Sequence, residues 1–356
     1  MATMRNPINR NTTIDLNPTL ETIDPSYGQY ADSGLFEEQG ITSGSIMYKV
    51  DKQEAPKMTK LTSRTERDAM ATDKVKHNLV TMGQISLKET GGVHVEDMIG
   101  VTNGLFEETS PSFQEATVKE LTKLANVAAA NREYLLTTAT QGVVLDPYDG
   151  AEAINQYSNT GTPRVAVTID ASPASSITAS LNTLSNTIAD LNGYNGNVGT
   201  VEVVLGEEAF NNIVSHPDFA ALYQLAFSGL GQQALAQPLL NGTAGRRKRN
   251  QYGYRREFSW DNFLFVTYPQ KFRRWNGDSV DIIETNKGWT IVDVAGLYQV
   301  KYCPAPYLST FQSAGTRWTA RSTGIVNDTH ADITLESHMI PYMVRPEMAL
   351  DITVVA

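Results

Sequence analysis

Residues 332–355 read DITLESHMIPYMVRPEMALDITVV. Apolar and polar residues alternate from Asp332 to Ile340, the period-two pattern of a strand with one face on a core. Arg345-Pro346 breaks the pattern, since proline removes a backbone donor. Ala349 to Val355 then reads as a further strand. Two closing strands need ladder partners elsewhere in the chain, because buried backbone groups must be paired.

Upstream, strands are expected at Ser45–Val50, Val80–Leu87, Thr162–Ile169, Val201–Leu205, Phe258–Tyr268, Val280–Glu284 and Gly296–Tyr302. Residues 110 to 141 read as one long helix. Ser110 suits its N-cap and Pro111 its first turn, while Leu121, Leu124, Ala125, Ala128, Leu135 and Leu136 supply an apolar side. Gln141-Gly142 ends it. Ile177, Leu181, Leu184, Ile188 and Leu191 mark one face of a second helix, started by Ser172-Pro173 and ended by Asn192-Gly193. A short helix over Glu207–Val214 is broken by His216-Pro217, and Ala220–Phe227 resumes it. This order lacks the regular βαβ alternation of a nucleotide-binding sheet, so the fold class is α+β.

Residues 1 to 40 read as an arm. Pro7, Pro18, Pro25 and Gly28 interrupt any helix, yet Ile14, Leu16, Leu20, Tyr30 and Phe36 need a surface to rest on, in this subunit or a neighbour. Residues 41 to 100 read as a long two-stranded excursion with a charged tip that includes Lys57, Lys60, Arg64 and Arg67. The alternatives for that tip are a solvated loop and a subunit contact.

Composition narrows the function. The net charge of −10 argues against a protein that chiefly coats nucleic acid, which must neutralise phosphates. A single cysteine, Cys303, rules out an intrachain disulfide. Met1 to Ile14 lacks the apolar stretch of a signal peptide, and no run approaches a membrane span. No phosphate loop, nucleophile elbow or zinc motif occurs, so neither cofactor, metal nor catalytic residue is expected. Glu336 and His338 share a strand face with Asp332 and Thr334. They suit either a metal or the polar side of a half-buried strand. His216 and Asp218 lack any serine nearby in sequence that would complete a triad.

The sharpest charge feature is Arg246-Arg247-Lys248-Arg249, followed by Arg255 and Arg256, with Tyr252, Tyr254 and Trp260 interleaved. It is expected in a Gly-rich loop. A solvated loop, a contact to acidic groups of a neighbouring subunit and a nucleic-acid contact all stay open.

From Tyr254 onward the chain resembles the lambda-type major capsid protein family of tailed bacteriophages (the major capsid protein E family). The resemblance rests on Arg256 to Asp261, with Trp260, leading into a strand that ends at Tyr268. It continues in Gly296 to Tyr307, with Pro304 and Pro306, in Gly315 to Arg321, and in Glu336 to Val355, with Arg345-Pro346. It covers roughly the last third of the chain. It implies the Hong Kong 97-type capsid fold: an N-terminal arm (1–40), an extended loop (41–100), a peripheral lobe with a long spine helix (101–165 and 300–356) and an axial lobe (166–299). It also implies a non-enzymatic subunit that assembles as pentamers and hexamers into an icosahedral head around double-stranded DNA, without sequence-specific binding and without a membrane. Scaffolding, portal and decoration proteins are the further partners implied, with assembly in the bacterial host cytoplasm. Rival readings are an encapsulin-like compartment shell, another homomeric phage part such as a tail tube or portal, and an enzyme with an unfamiliar site.

Overall fold

A computed structural model describes residues 14–23, 28–51, 77–94, 96, 113–193, 198–219, 246–250, 253–268, 271–274, 276–310, 312–323 and 330–356. Up to residue 94 the chain contributes β1 (Ile14–Asp15), α1 (Asn17–Leu20), β2 (Glu37–Gly40), β3 (Ser45–Asp51), β4 (His77–Gly83) and β5 (Ile85–His94). The long helix α2 (Phe113–Ala139) leads to β6 (Val143–Leu145), β7 (Glu152–Asn155) and α3 (Gln156–Thr160). Next come β8 (Ala166–Asp170), α4 (Ile177–Leu191), β9 (Val201–Leu205) and α5 (Glu207–Val214). The remainder is mostly strand: β10 (Arg246–Asn250), β11 (Gly253–Trp260), β12 (Phe263–Thr267), β13 (Phe272–Arg273), β14 (Ser279–Val280), β15 (Lys287–Val292) and β16 (Tyr298–Tyr302). It closes on β17 (Thr319–Ser322), β18 (His330–Met343), a 3-10 turn at Pro346–Met348 and β19 (Asp351–Val355).

The chain divides into two compact units. The first takes Met1–Ile46, Met82–Thr137 and Gln299–Pro341; the second takes Met47–Thr81, Thr138–Tyr298 and Tyr342–Ala356.

In the first unit a six-stranded sheet runs β1-β17-β18-β16-β2, with β5 also paired to β18. One sheet face packs on α2. Val93, Ala320, Ile333 and Leu335 meet Ala116, Leu121, Leu124, Ala125 and Ala128 in a common core, which Leu16 joins from the N-terminal segment. The helix comes close over Gly91, where a side chain would run into Glu120 and Leu124. At 27 residues α2 is about 40 Å long. It ends as expected: Gly142 takes φ +75 and its N–H bonds the Ala139 carbonyl. The expected start at Ser110-Pro111 lies outside the described residues, as does Ala220–Phe227.

In the second unit a seven-stranded mixed sheet runs β10-β11-β12-β9-β15-β19-β8. The pairs β9–β12 and β8–β19 are parallel. Helix α4 turns Ile177, Leu181, Leu184 and Ile188 inward, the face its spacing predicts. It begins later than expected. Ser172 to Ser175 form a hydrogen-bonded turn, with the Ser175 hydroxyl on the Asp170 and Ser172 carbonyls, and the helix starts only after Ser176.

Other expectations are corrected. Phe258–Tyr268 is not one strand but parts of β11 and β12, joined at Asp261-Asn262, where Asp261 takes φ 52 and Trp260 pairs with Phe263. Asp and Asn tolerate such a turn because short polar side chains accept the left-handed region. Val80–Leu87 is divided between β4 and β5 at Gln84. Val280–Glu284 reduces to β14. The unforeseen strand β15 lies at the middle of the large sheet, with Gly288 to Val292 all buried.

Candidate subunit-contact elements

The described part of the N-terminal segment finds its surface within its own unit. Glu133 on α2 is wholly buried. Its carboxylate accepts the backbone N–H of Tyr30 at 2.9 Å and of Ala31 at 2.8 Å. The neighbouring Arg132, 3% exposed, donates to Glu38 at 2.7 Å and to the Tyr302 hydroxyl at 3.2 Å. Tyr302 in turn donates to Glu38 at 3.0 Å, and Arg317 grips the same carboxylate with both ends of its fork. Burial pushes the Tyr302 phenol above its ordinary value, with Arg132 opposing, so the phenol keeps the proton it donates. Burial alone would lower Arg317, but Glu38, with Tyr302 and Asp32, outweighs it and holds the guanidinium above the usual arginine range. Strand β2 then pairs in parallel with β16. Residues 28–40 are thus bolted down by the ion pairs of Arg132 and Arg317 and by a backbone-capping carboxylate.

The excursion of residues 41–100 does contain paired strands, because β3 and β4 form a separate two-stranded ribbon. Alternation gives it two characters. Val50, Val80 and Met82 are buried, and Tyr48 meets Tyr342 with ring centroids 4.9 Å apart. On the other side Met47 and Leu79 are 66% and 64% exposed. Lys57, Lys60, Arg64 and Arg67 lie outside the described residues.

The basic run is not a loop. Arg246, Arg247, Lys248 and Arg249 form most of β10, an edge strand paired antiparallel to β11. The return strand supplies the ladder, and the register sets Arg246 opposite Glu257. It also sets Arg247 opposite Arg256 and Lys248 opposite Arg255. On β11, Arg255 meets Glu202 at 3.0 Å and Glu257 at 3.1 Å, while Arg256 bonds Asn211 at 2.7 Å and lies over the Phe210 ring.

The motif positions serve packing. Trp260 meets Phe219 edge-on at 5.2 Å, and Tyr268 stacks on Phe272. Pro304 and Pro306 shape the turn after β16, where the Tyr307 N–H bonds the Ala305 carbonyl. Arg345 is buried and bonds Asn192 at 3.0 Å, and burial pulls its pKa down against the opposing pull of Glu347. Pro346 opens the 3-10 turn.

The β5–β18 ladder carries polar groups on the face away from α2. Its cross-strand pairs are Ser86–His338, Lys88–Glu336, Thr90–Thr334, Gly92–Asp332 and His94–His330. Ser86 Oγ lies 2.7 Å from His338 Nδ1. Glu336 takes Lys88 at 3.0 Å and His338 at 3.4 Å. Burial would raise the Glu336 carboxyl, yet bonds from Lys88, Tyr307 and His338 outweigh it and leave it below the ordinary range. Its oxygens are thus engaged within the sheet. His216 Nδ1 accepts the Asp218 N–H, which leaves Nε2–H to donate to the Ser172 carbonyl at 3.1 Å. The serine contact is through the Ser172 backbone carbonyl, not a hydroxyl. No helix of the described residues is long and apolar enough to cross a membrane.

The family model for phage major capsid protein E matches residues 12–354. The major capsid protein of Salmonella phage Felix O1 is 23% identical over 95% of each chain. The putative capsid protein of an Escherichia coli CFT073 prophage superposes with a TM-score of 0.55 at 11% identity, over 97% of this chain and all of that one. A subunit of the mature capsid of bacteriophage PhiM1 aligns over 93% of this chain and 90% of its own, at 9% identity and a TM-score of 0.46.

Proposed function

Since the chain belongs to the phage major capsid protein E family, we propose that it assembles as pentamers and hexamers into the icosahedral head that encloses the phage double-stranded DNA. It is a major capsid protein with the α+β Hong Kong 97-type fold, a component of the virion. The compartment and tail-part readings are not favoured. We assign residues 1–40 to the arm, 41–100 to the extended loop, 101–165 with 300–356 to the peripheral lobe, and 166–299 to the axial lobe. The bolted segment 28–40 and the separate β3–β4 ribbon support the arm and the extended loop, whereas residues 138–165 and 342–356 belong to the same compact unit as 166–298. The role is structural, without a cofactor or catalytic site. Assembly proceeds in the host cytoplasm with scaffolding and portal proteins, a decoration protein completing the outside, and the enclosed DNA is held without sequence-specific contacts.

The observation that carries the subunit contact is the ribbon's double character. Large apolar side chains on both strands face outward, which a two-stranded ribbon does not need for its own stability. The basic strand β10 and the charged tip at Lys57, Lys60, Arg64 and Arg67 are the further contact candidates, with acidic groups of a neighbouring copy as partners. Light scattering with negative-stain imaging tests the reading. Rings or closed shells support it, and a well-folded 39.1 kDa monomer that stays monomeric with scaffold supplied refutes it.

A further inference from the structure

We propose that Ser86 is an activated nucleophile that takes up the acyl group of an ester with a good leaving group, with His338 as its base. Ser86 and His338 are a cross-strand pair of the β5–β18 ladder. Glu336, two residues before His338 on the same strand, shares its face. Ser86 Oγ lies 2.7 Å from His338 Nδ1, and His338 Nε2 lies 3.4 Å from Glu336 Oε2. Hydroxyl, imidazole and carboxylate thus follow one another in the order that activates a nucleophile.

The carboxylate decides which ring nitrogen is the base. An ionised carboxylate only accepts, so the proton facing it sits on Nε2. Nδ1 is left with its lone pair, and the Ser86 hydroxyl donates to it. Glu336 is itself held in place: Lys88 meets its Oε1 at 3.0 Å, and the Tyr307 hydroxyl donates to it. The Arg321 guanidinium carbon lies 3.7 Å from the centre of the Tyr307 ring, and Arg321 is anchored on Ser309 at 2.7 Å. The 3.4 Å contact is long, as such bonds are before a substrate tightens them.

Burial follows the same line. Glu336 and His338 are buried, whereas Ser86 is exposed, so the supported end of the relay lies inside and the nucleophile at the surface. In the reaction a bond forms between Ser86 Oγ and the ester carbonyl carbon, and the bond from that carbon to the leaving aryloxide breaks. The Ser86 proton passes to His338 Nδ1 and then to the aryloxide. The products are an O-acylated serine and a phenol. The acyl-serine is the end product, a modified subunit rather than a turnover.

The site stands independently of the shell reading. Its test treats the full-length chain with p-nitrophenyl acetate, follows p-nitrophenol release and locates the acetyl group by peptide mass mapping. One fast equivalent per chain is expected, on Ser86, and Ser86→Ala should abolish it. His338→Gln should slow it by at least about a hundredfold, the lower end of what a general base supplies. The fast phase should also fade in acid, where the imidazole already holds the proton it would take. Glu336 acts through His338 as a positioning residue. Glu336→Asp, which keeps the charge, should therefore retain more of the rate than Glu336→Gln, which keeps the shape. Circular dichroism checks that each variant is folded. Wild type without acetyl on Ser86, undiminished Ser86 acetylation in the folded His338→Gln chain, or the reverse order of the two Glu336 variants overturns the proposal.

Discussion

The Tyr30 N–H donates to the Glu133 carboxylate at 2.9 Å across 103 residues of sequence. The Ala31 N–H joins it on the second oxygen, and the Thr137 hydroxyl lies 3.3 Å from the first. A buried carboxylate here does what a partner strand does elsewhere: it satisfies backbone donors in a segment that has left any ladder. The long helix therefore fixes Tyr30 and Ala31 through their main chain, beside the side-chain ion pair that Arg132 makes with Glu38.

Glu133→Ala should leave two buried N–H groups without an acceptor, at about 1–3 kcal/mol each. Glu133→Gln keeps one acceptor oxygen and should cost less. Urea unfolding measures the difference, and hydrogen exchange of residues 29–38 should accelerate in the alanine variant. Unfolding free energy within about 0.5 kcal/mol of wild type would mean that water replaces the carboxylate freely.

Glu38 sits between Arg132 and Arg317, and the two arginines differ in exposure, with side chains 4% and 46% accessible. Glu38→Gln leaves the buried Arg132 charge poorly compensated, a loss of about 3–5 kcal/mol in comparable cases. Asp32 at 4.0 Å from Arg132 places the expected value at the lower end. Arg317→Lys loses only a half-exposed fork and should cost under about 1 kcal/mol. Equal effects in thermal unfolding would contradict the ordering.

Glu336 gives a pH dependence of known sign. Burial opposes its ionisation, but the bonds from Lys88, Tyr307 and His338 prevail and its folded pKa is lowered. A carboxyl with a depressed folded pKa contributes stability above its unfolded pKa, and that contribution is lost as pH falls through the folded value. Glu336→Gln should therefore be less stable than wild type near neutrality, and the gap should close in acid. Melting temperatures at a series of pH values check this, and a gap that stays constant down to pH values below the carboxylate range would show that Glu336 acts by shape alone.

The regular elements were legible in the sequence wherever one period dominated. The spacing of Ile177, Leu181, Leu184 and Ile188 gave the buried face of α4, and Val201–Leu205 gave β9 to the residue. Strand β15 was missed because Gly288-Trp289-Thr290-Ile291-Val292 has no alternation: a strand buried on both faces shows a continuous run, which periodicity cannot sort. That run, with Trp289 bonded to Thr140 inside the unit, was the available signal. The Asp261-Asn262 turn was hidden by the apolar residues on both sides of it. Arg132 and Glu133 carry no local signal of their role, since nothing near them in sequence tells that Tyr30, Ala31 and Glu38 will arrive there. The ladder register that brings His94 to His330 was invisible for the same reason.

The β3–β4 ribbon offers the most direct test of assembly. Val80 is 3% exposed, whereas Leu79 beside it is 64% exposed and Met47 on the other strand 66%. A Met47→Ser/Leu79→Ser chain should unfold within about 0.5 kcal/mol of wild type per site, as exposed substitutions do. Val80→Ser removes core contacts and should destabilise the isolated chain clearly more. Assembly should reverse the order. If Met47 and Leu79 are buried against a neighbouring copy, each contributes about 1.5–3 kcal/mol at every contact, and a shell repeats that contact many times. The double variant should then remain as free subunits or capsomers, by sedimentation, at concentrations where wild type forms shells. Shells formed at the wild-type concentration would remove this face of the ribbon from the list of contacts and leave β10 and the charged tip to carry them.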